Sequence, residues 1–208
     1  TPADADSILS VGAIDPETGL AAAFSSLGPT ADKRLKPNVC APGKVLVLIA
    51  DGSARLEQGT SFSAPLVTGF AACVWQIHPD LTAQQILNLV EQSGHLYPYY
   101  DYSHGYGIPQ ASRILLPGET GIGPEPILSS DGSRMSITIH NPDHQTLPPP
   151  LRDYLYYHVS EPSGFLTRYG VYRMDGKDSV SISLSGMKAG ESFRCYFNGK
   201  TASWTDQK

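Results

Sequence analysis

Only three cysteines, three methionines and two tryptophans occur in 208 residues. An odd number of cysteines leaves at least one thiol free or paired outside this sequence. Cys40 and Cys73 stand in apolar runs and read as small core residues, with a Cys40–Cys73 bridge left open. No apolar run approaches the roughly 18 residues that a membrane span needs. Lysine and arginine (15) are outnumbered by aspartate and glutamate (20), giving a formal charge of −5 and a pI near 5.6. They form no cluster that could replace the counterions of a nucleic acid, so no nucleic-acid partner is expected. No H-E-x-x-H spacing appears, so a zinc site has no support and no cofactor is expected. Neither an initiator methionine nor a signal-peptide pattern opens the chain at Thr1-Pro2.

A hydrophobic content of 40% permits a real core, and the length suits one large or two modest domains. Short apolar runs between glycine and proline turns predict strands over Ile8–Ile14, Val39–Cys40 and Val45–Ile49. From Ser61 to Ile77 the pattern is apolar almost all round, the mark of a buried helix. Pro65 falls near its first turn. Thr82 and Gln85 form a capping box, Leu81 and Ile86 a hydrophobic staple, and Gly94 a stop, predicting a second helix. Tyr97 to Tyr106 holds five tyrosines and reads as a loop covering a core edge, and Pro109 starts a short helix ending near Leu116.

The most informative segment is Gly59-Thr60-Ser61-Phe62-Ser63-Ala64-Pro65. It puts a serine where the chain turns from an extended stretch into a helix. A serine hydroxyl is a poor nucleophile alone and needs space, a base and a place for the oxyanion. Gly59 leaves room for a substrate backbone. A helix starting at Ser61 aims unpaired N–H groups and a partial positive charge at whatever forms there, with Thr60 as a candidate cap. The G-x-S-x-G elbow of lipases does not fit, because Ser63 stands where its second glycine should be.

This run resembles the serine motif of the subtilisin-like (subtilase) proteases. Ser10-Val11-Gly12-Ala13-Ile14, Phe24-Ser25-Ser26-Leu27-Gly28-Pro29, Lys36-Pro37-Asn38-Val39-Cys40-Ala41-Pro42-Gly43 and Gly105-Tyr106-Gly107-Ile108-Pro109-Gln110-Ala111 resemble the flanking blocks in the right order. The resemblance implies an α/β fold: the C-terminal portion of a parallel-sheet, three-layer subtilisin-like domain over residues 1–116. It implies that Ser61 is the catalytic nucleophile, with Gly59, Thr60 and Ser61 at the oxyanion site and substrate backbone.

Ser-His-Asp chemistry also needs an imidazole base and a carboxylate to orient it. In the family both precede the serine, as does the oxyanion asparagine, and no D-[ST]-G, H-G-T or G-N motif precedes Ser7. The chain is therefore expected to be the C-terminal piece of a longer protease, whose missing N-terminal part is its first partner and polypeptides its substrates. His78, His95, His104, His140, His144 and His158 read as surface or satisfied histidines. Structural calcium in the parent stays open, with no ligands assignable in this sequence. Glu57 and Gln58 lie where leaving-group residues of a substrate would run.

Pro117 to Pro126 reads as a linker. Beyond it, over 127–208, the period switches to two at Met135, Ile137, Ile139, then Val180, Ile182, Leu184, then Phe193, Cys195, Phe197. Such strands suggest a small β-sandwich. Val180 to Lys200 resembles the end of type IX secretion sorting domains, without their usual basic-hydrophobic tail; an immunoglobulin-like accessory module explains the pattern as well. Secretion or display at the surface, by Gram-negative export, is the expected localisation. Two functional classes compete: a serine endopeptidase inactive in this piece alone, and a pseudoprotease or non-catalytic binding or secretion module.

Overall fold

A computed structural model describes residues 2–116, 123–140 and 153–205. The chain divides into two units, Thr1–Glu119 and Thr120–Lys208. Residues 117–122 of the expected linker, and His144, lie outside the described residues.

In the first unit, β1 (Val11–Ile14) and β2 (Val39–Pro42) pair in parallel, Val11 opposite Val39 and Ile14 opposite Pro42. Their inner residues are fully buried, as expected of parallel strands covered on both faces. The predicted strand from Ile8 is shorter than expected. Asn38 intercepts it: its N–H donates to Ser10 O at 2.8 Å and its Oδ1 accepts from the Ser10 N–H at 2.7 Å.

Strands β3 (Lys44–Leu48) and β4 (Ala54–Gln58) form an antiparallel hairpin, Lys44 opposite Gln58. Helix α1 spans Thr60–Ile77 and α2 spans Ala83–Gln92, the latter opened by the predicted capping box. A short α3 covers Ala111–Leu115. Val39 and Ala41 of β2, Val67 and Val74 of α1, and Ile86 and Val90 of α2 share one core.

The expectation of a buried α1 needs correcting. Ser63, Val67, Phe70, Ala71 and Val74 recur at helical spacing and face the core, but Leu66, Cys73, Trp75 and Ile77 are exposed. The helix is apolar almost all round, yet among the described residues one stripe alone is covered. Pro65 lies in the second turn rather than the first, so it removes the N–H that would reach Ser61 O.

The second unit holds two antiparallel sheets. One runs β5 (Ile127–Ser130), β6 (Arg134–Thr138), β9 (Ser179–Ser183); the other runs β11 (Lys200–Thr205), β10 (Ser192–Phe197), β7 (Tyr154–Ser160), β8 (Leu166–Arg173). Met135, Ile137 and Ile182 from the first share one core cluster with Leu155, Val159, Phe193, Cys195 and Phe197 from the second. Tyr157 stacks on Phe193 at 5.8 Å. Asn198 and Gly199, both at positive φ, turn β10 tightly into β11 with Phe197 opposite Lys200.

Candidate functional site

Strand β4 delivers the chain to Gly59, and two contacts anchor the start of α1. Gly59 N–H donates to Gly43 O at 2.9 Å, and the Ser63 hydroxyl donates to Pro42 O at 3.1 Å. Both acceptors lie at the end of β2, so the first turn of α1 is pinned there. The fit depends on small residues: a Cβ on Gly43 would stand 2.6 Å from Ala13 Cβ and 3.2 Å from Ser63 Oγ. Ser63 is wholly buried, whereas Ser61, two residues earlier, is exposed.

Gly59 is the N-cap of α1, and no side chain caps the helix. The expected capping role of Thr60 is therefore corrected: Thr60 is the first helical residue, and glycine holds the cap position. The first turn carries no acidic residue. Its leading N–H groups and the positive end of the helix dipole are thus aimed at the space around Ser61. Beside Gly59 that space is open, since an added Cβ would meet nothing closer than Ser61 N at 3.8 Å. A cavity of about 180 Å³ lies against Thr60, lined by Gly12, Ser25, Gly28 and Pro37 among others.

Among the described residues, no histidine ring or carboxylate hydrogen-bonds Ser61. His78 closes the opposite end of α1, about 26 Å away at 1.5 Å per residue. His104 is buried with Asp101, Nδ1 to Oδ1 at 3.0 Å, which could be mistaken for a catalytic pair. Its Nε2, however, accepts the Ala21 N–H at 3.0 Å, so Nδ1 carries the ring proton and donates to Asp101. Both ring nitrogens are engaged in holding two loops together. Burial alone would raise the Asp101 carboxyl, but His104 and the N–H groups of Ser103 and His104 hold it below its ordinary value. His95 Nδ1 accepts the Ile108 N–H at 2.8 Å. Burial, then the nearby His104 and Arg113, push His95 down to about 3, so it is neutral.

Sequence reasoning missed a second polar cluster, which also serves the scaffold. Lys36 Nζ donates to Ile8 O at 2.9 Å and Asn38 Oδ1 at 3.0 Å, while Asn38 Nδ2 donates to Glu91 Oε1 at 2.5 Å. Burial pushes Lys36 down and Glu91 up. The signal lay in the K-P-N run, but the partner on α2 is 53 residues away.

The cysteines are free: Cys40 is buried, with its thiol pushed up by burial, and Cys73 is on the exposed face of α1. Neither a Cys40–Cys73 bridge nor a core role for Cys73 is present. His140 and His144 stand four apart in the sequence, and His144 lies outside the described residues. Among the described residues no group of three His, Cys, Asp or Glu could hold a metal, and no helix is long and apolar enough to cross a membrane.

The sequence profile of the subtilase family, peptidase S8, matches residues 1–107, just over half of the chain. The chain belongs to the subtilase family. Its α/β first unit is a portion of that fold, and the family is one of serine proteases. The chain is similar to serine protease AprX of Bacillus subtilis (strain 168), 27% identical over 112 residues, covering 44% of this chain and 25% of AprX. It is similar to a C5a peptidase of Streptococcus pyogenes serotype M18, 39% identical over 74 residues, covering 33% of this chain and 6% of that protein. Among solved structures, a protease from Pseudoalteromonas arctica PAMC 21717 superposes with a TM-score of 0.46 and 26% identity, covering 55% of this chain and 37% of that one. This subtilase chain thus spans a quarter or less of the length of these curated relatives.

Proposed function

We propose that the protein acts as a serine endopeptidase in which Ser61 attacks a peptide carbonyl, the peptide C–N bond breaks to expel an amine and leave an acyl-enzyme, and water hydrolyses that ester to free Ser61. One observation carries this reading: Ser61 is exposed on the first turn of α1 while its neighbours Gly59 and Ser63 are tied to the end of β2. The developing oxyanion would lie against the leading N–H groups of that turn, with Gly59 giving the substrate backbone room. Polypeptides are the substrates. The base, its orienting carboxylate and the oxyanion asparagine come from a segment upstream of Thr1 in the parent chain. That segment would also cover the outward apolar face of α1.

The lack of any base at Ser61 among the described residues favours a second statement: residues 1–208 alone are catalytically silent. The two sheets of the second unit, sharing one core, support reading 127–208 as a β-sandwich, joined by a linker at 117–126. It serves as an accessory or sorting module of an exported or surface protease.

A fluorophosphonate probe tests the assignment. The parent should label rapidly and its Ser61→Ala variant not at all, while the 208-residue chain stays unlabelled. Labelling of the Ser61→Ala parent would move the nucleophile elsewhere; labelling of the short chain would place a base within it.

A further inference from the structure

The second unit contains a cavity of about 390 Å³, within the range of about 300–1,000 Å³ common for ligand sites. It opens at one end of the unit, where the β5–β6 turn, the segment after β9 and the end of β11 converge. Leu128, Leu184 and Met187 form its apolar walls, Trp204 supplies an aromatic one, and Ser130 and Asp131 supply polar groups. These side chains also flank the core cluster, so the floor belongs to the folded unit.

Asp131 is already shaped for a cation. Its Oδ1 accepts from Ser133 N–H, Ser133 Oγ and Arg134 N–H, each at 2.8 Å, which fixes the carboxylate. These bonds, the Ser133 N–H first, hold its carboxyl below the ordinary value, so it is charged at neutral pH. The Arg134 guanidinium adds the smallest of the effects that hold the Asp131 carboxyl down. Arg134 lies on the outer face of its sheet, where Nε donates to Ser181 Oγ at 2.8 Å, while Met135 points inward. A trough of mixed lining, with leucine and methionine walls, an aromatic side chain and one fixed carboxylate, matches a group with an alkyl stem and a cationic head. A sugar would need many more hydrogen-bonding partners than two polar residues provide, and a purely apolar side chain would make no use of the Asp131 charge.

We propose that this cavity is a binding site for a lysyl side chain of a polypeptide, its methylenes along Leu128 and Met187, its ammonium between Trp204 and Asp131. The site makes the second unit a polypeptide anchor, chemically independent of Ser61, so it stands or falls apart from the proteolytic reading.

The test uses the full chain, ¹⁵N-labelled and titrated with N-acetyl-lysine methylamide and with the norleucine analogue, which keeps the stem and lacks the ammonium. The indole signal of Trp204 should shift saturably with the lysine compound in the millimolar range, and that of Trp75 should stay still. The norleucine analogue should bind about tenfold more weakly, the ratio expected from one cation–π contact plus one exposed ion pair. Asp131→Asn, which keeps the Oδ1 acceptor of the turn, should bring lysine down to the norleucine level and leave norleucine unchanged. Equal affinity for the two compounds, no saturable shift of Trp204, or equal movement of Trp75 would each overturn the site.

Discussion

The two units handle apolar surface in opposite ways. In the second, alternation along the strands sends Met135, Ile137, Ile182, Phe193, Cys195 and Phe197 to one side, and two sheets bury them together. In the first, a small core between β2, α1 and α2 coexists with large exposed side chains. Leu46, Leu48 and Leu56 stand 72%, 81% and 68% exposed on the β3–β4 hairpin, Leu46 directly opposite Leu56. Trp75, Ile77 and Leu66 add a second exposed apolar face along α1. Surface of that kind marks a contact still to be made. The segment that carries Ser61 lies between these two faces, joining the hairpin to the helix. One unit closes its own core; the other presents its candidate site at the margin of an unfinished one.

The largest expected effect tests whether that margin matters. Ser61→Ala in the parent should lower peptide hydrolysis by several orders of magnitude with an unchanged melting temperature, because an exposed hydroxyl contributes little packing. Turnover near the wild-type rate would break the assignment.

Separating the units sharpens the comparison next. Residues 123–208 should be monomeric and melt cooperatively, while residues 1–116 should self-associate through the leucine hairpin and the α1 face, as light scattering would show. Leu46→Ser, Leu48→Ser and Leu56→Ser together should reduce that association. A monomeric 1–116 with a sharp melt would show that its exposed faces need no partner.

Point substitutions should follow the same divide. Phe193→Ala in the closed core should cost about 3–5 kcal/mol, and Leu48→Ala on the open hairpin no more than about 0.5 kcal/mol. Chemical denaturation reads both, and comparable losses would erase the distinction.

Acid should loosen the first unit through His95. Its folded value near 3 lies below the ordinary value of 6.5, so the unfolded chain binds the proton more readily. Stability is then complete above pH 6.5 and falls as the pH drops, by up to about 1.4 kcal/mol per pH unit until the folded value is reached. Asp101, held below its ordinary value, adds a loss in the same direction at lower pH. A His95→Gln variant whose first-unit melt depends on pH as steeply as the wild type would assign the effect elsewhere. The smallest effect belongs to Thr60→Val. With glycine at the cap, its stability change should stay within about 0.5 kcal/mol.

What could be read from the sequence was local. The strand-to-helix turn at Gly59–Ser63, the capping box of Thr82 and Gln85 and the inward set of β6 and β10 depend on residues a few positions apart. Their chemistry is complete within a turn or a strand. Strands β7 and β8 escaped notice because Tyr154–Ser160 and Leu166–Arg173 lack a clean alternation; β7 is buried at six consecutive positions. The free state of Cys40 and Cys73, the half-covered α1 and the Lys36–Asn38–Glu91 network required knowing which surfaces meet across tens of residues. His104 shows the difference most plainly. Its sequence context places it beside Asp101, but only the fold brings the Ala21 N–H to its Nε2 across 83 residues and so shows which groups engage its ring. Local spacing determines which groups can react, and tertiary packing decides which of them are already engaged.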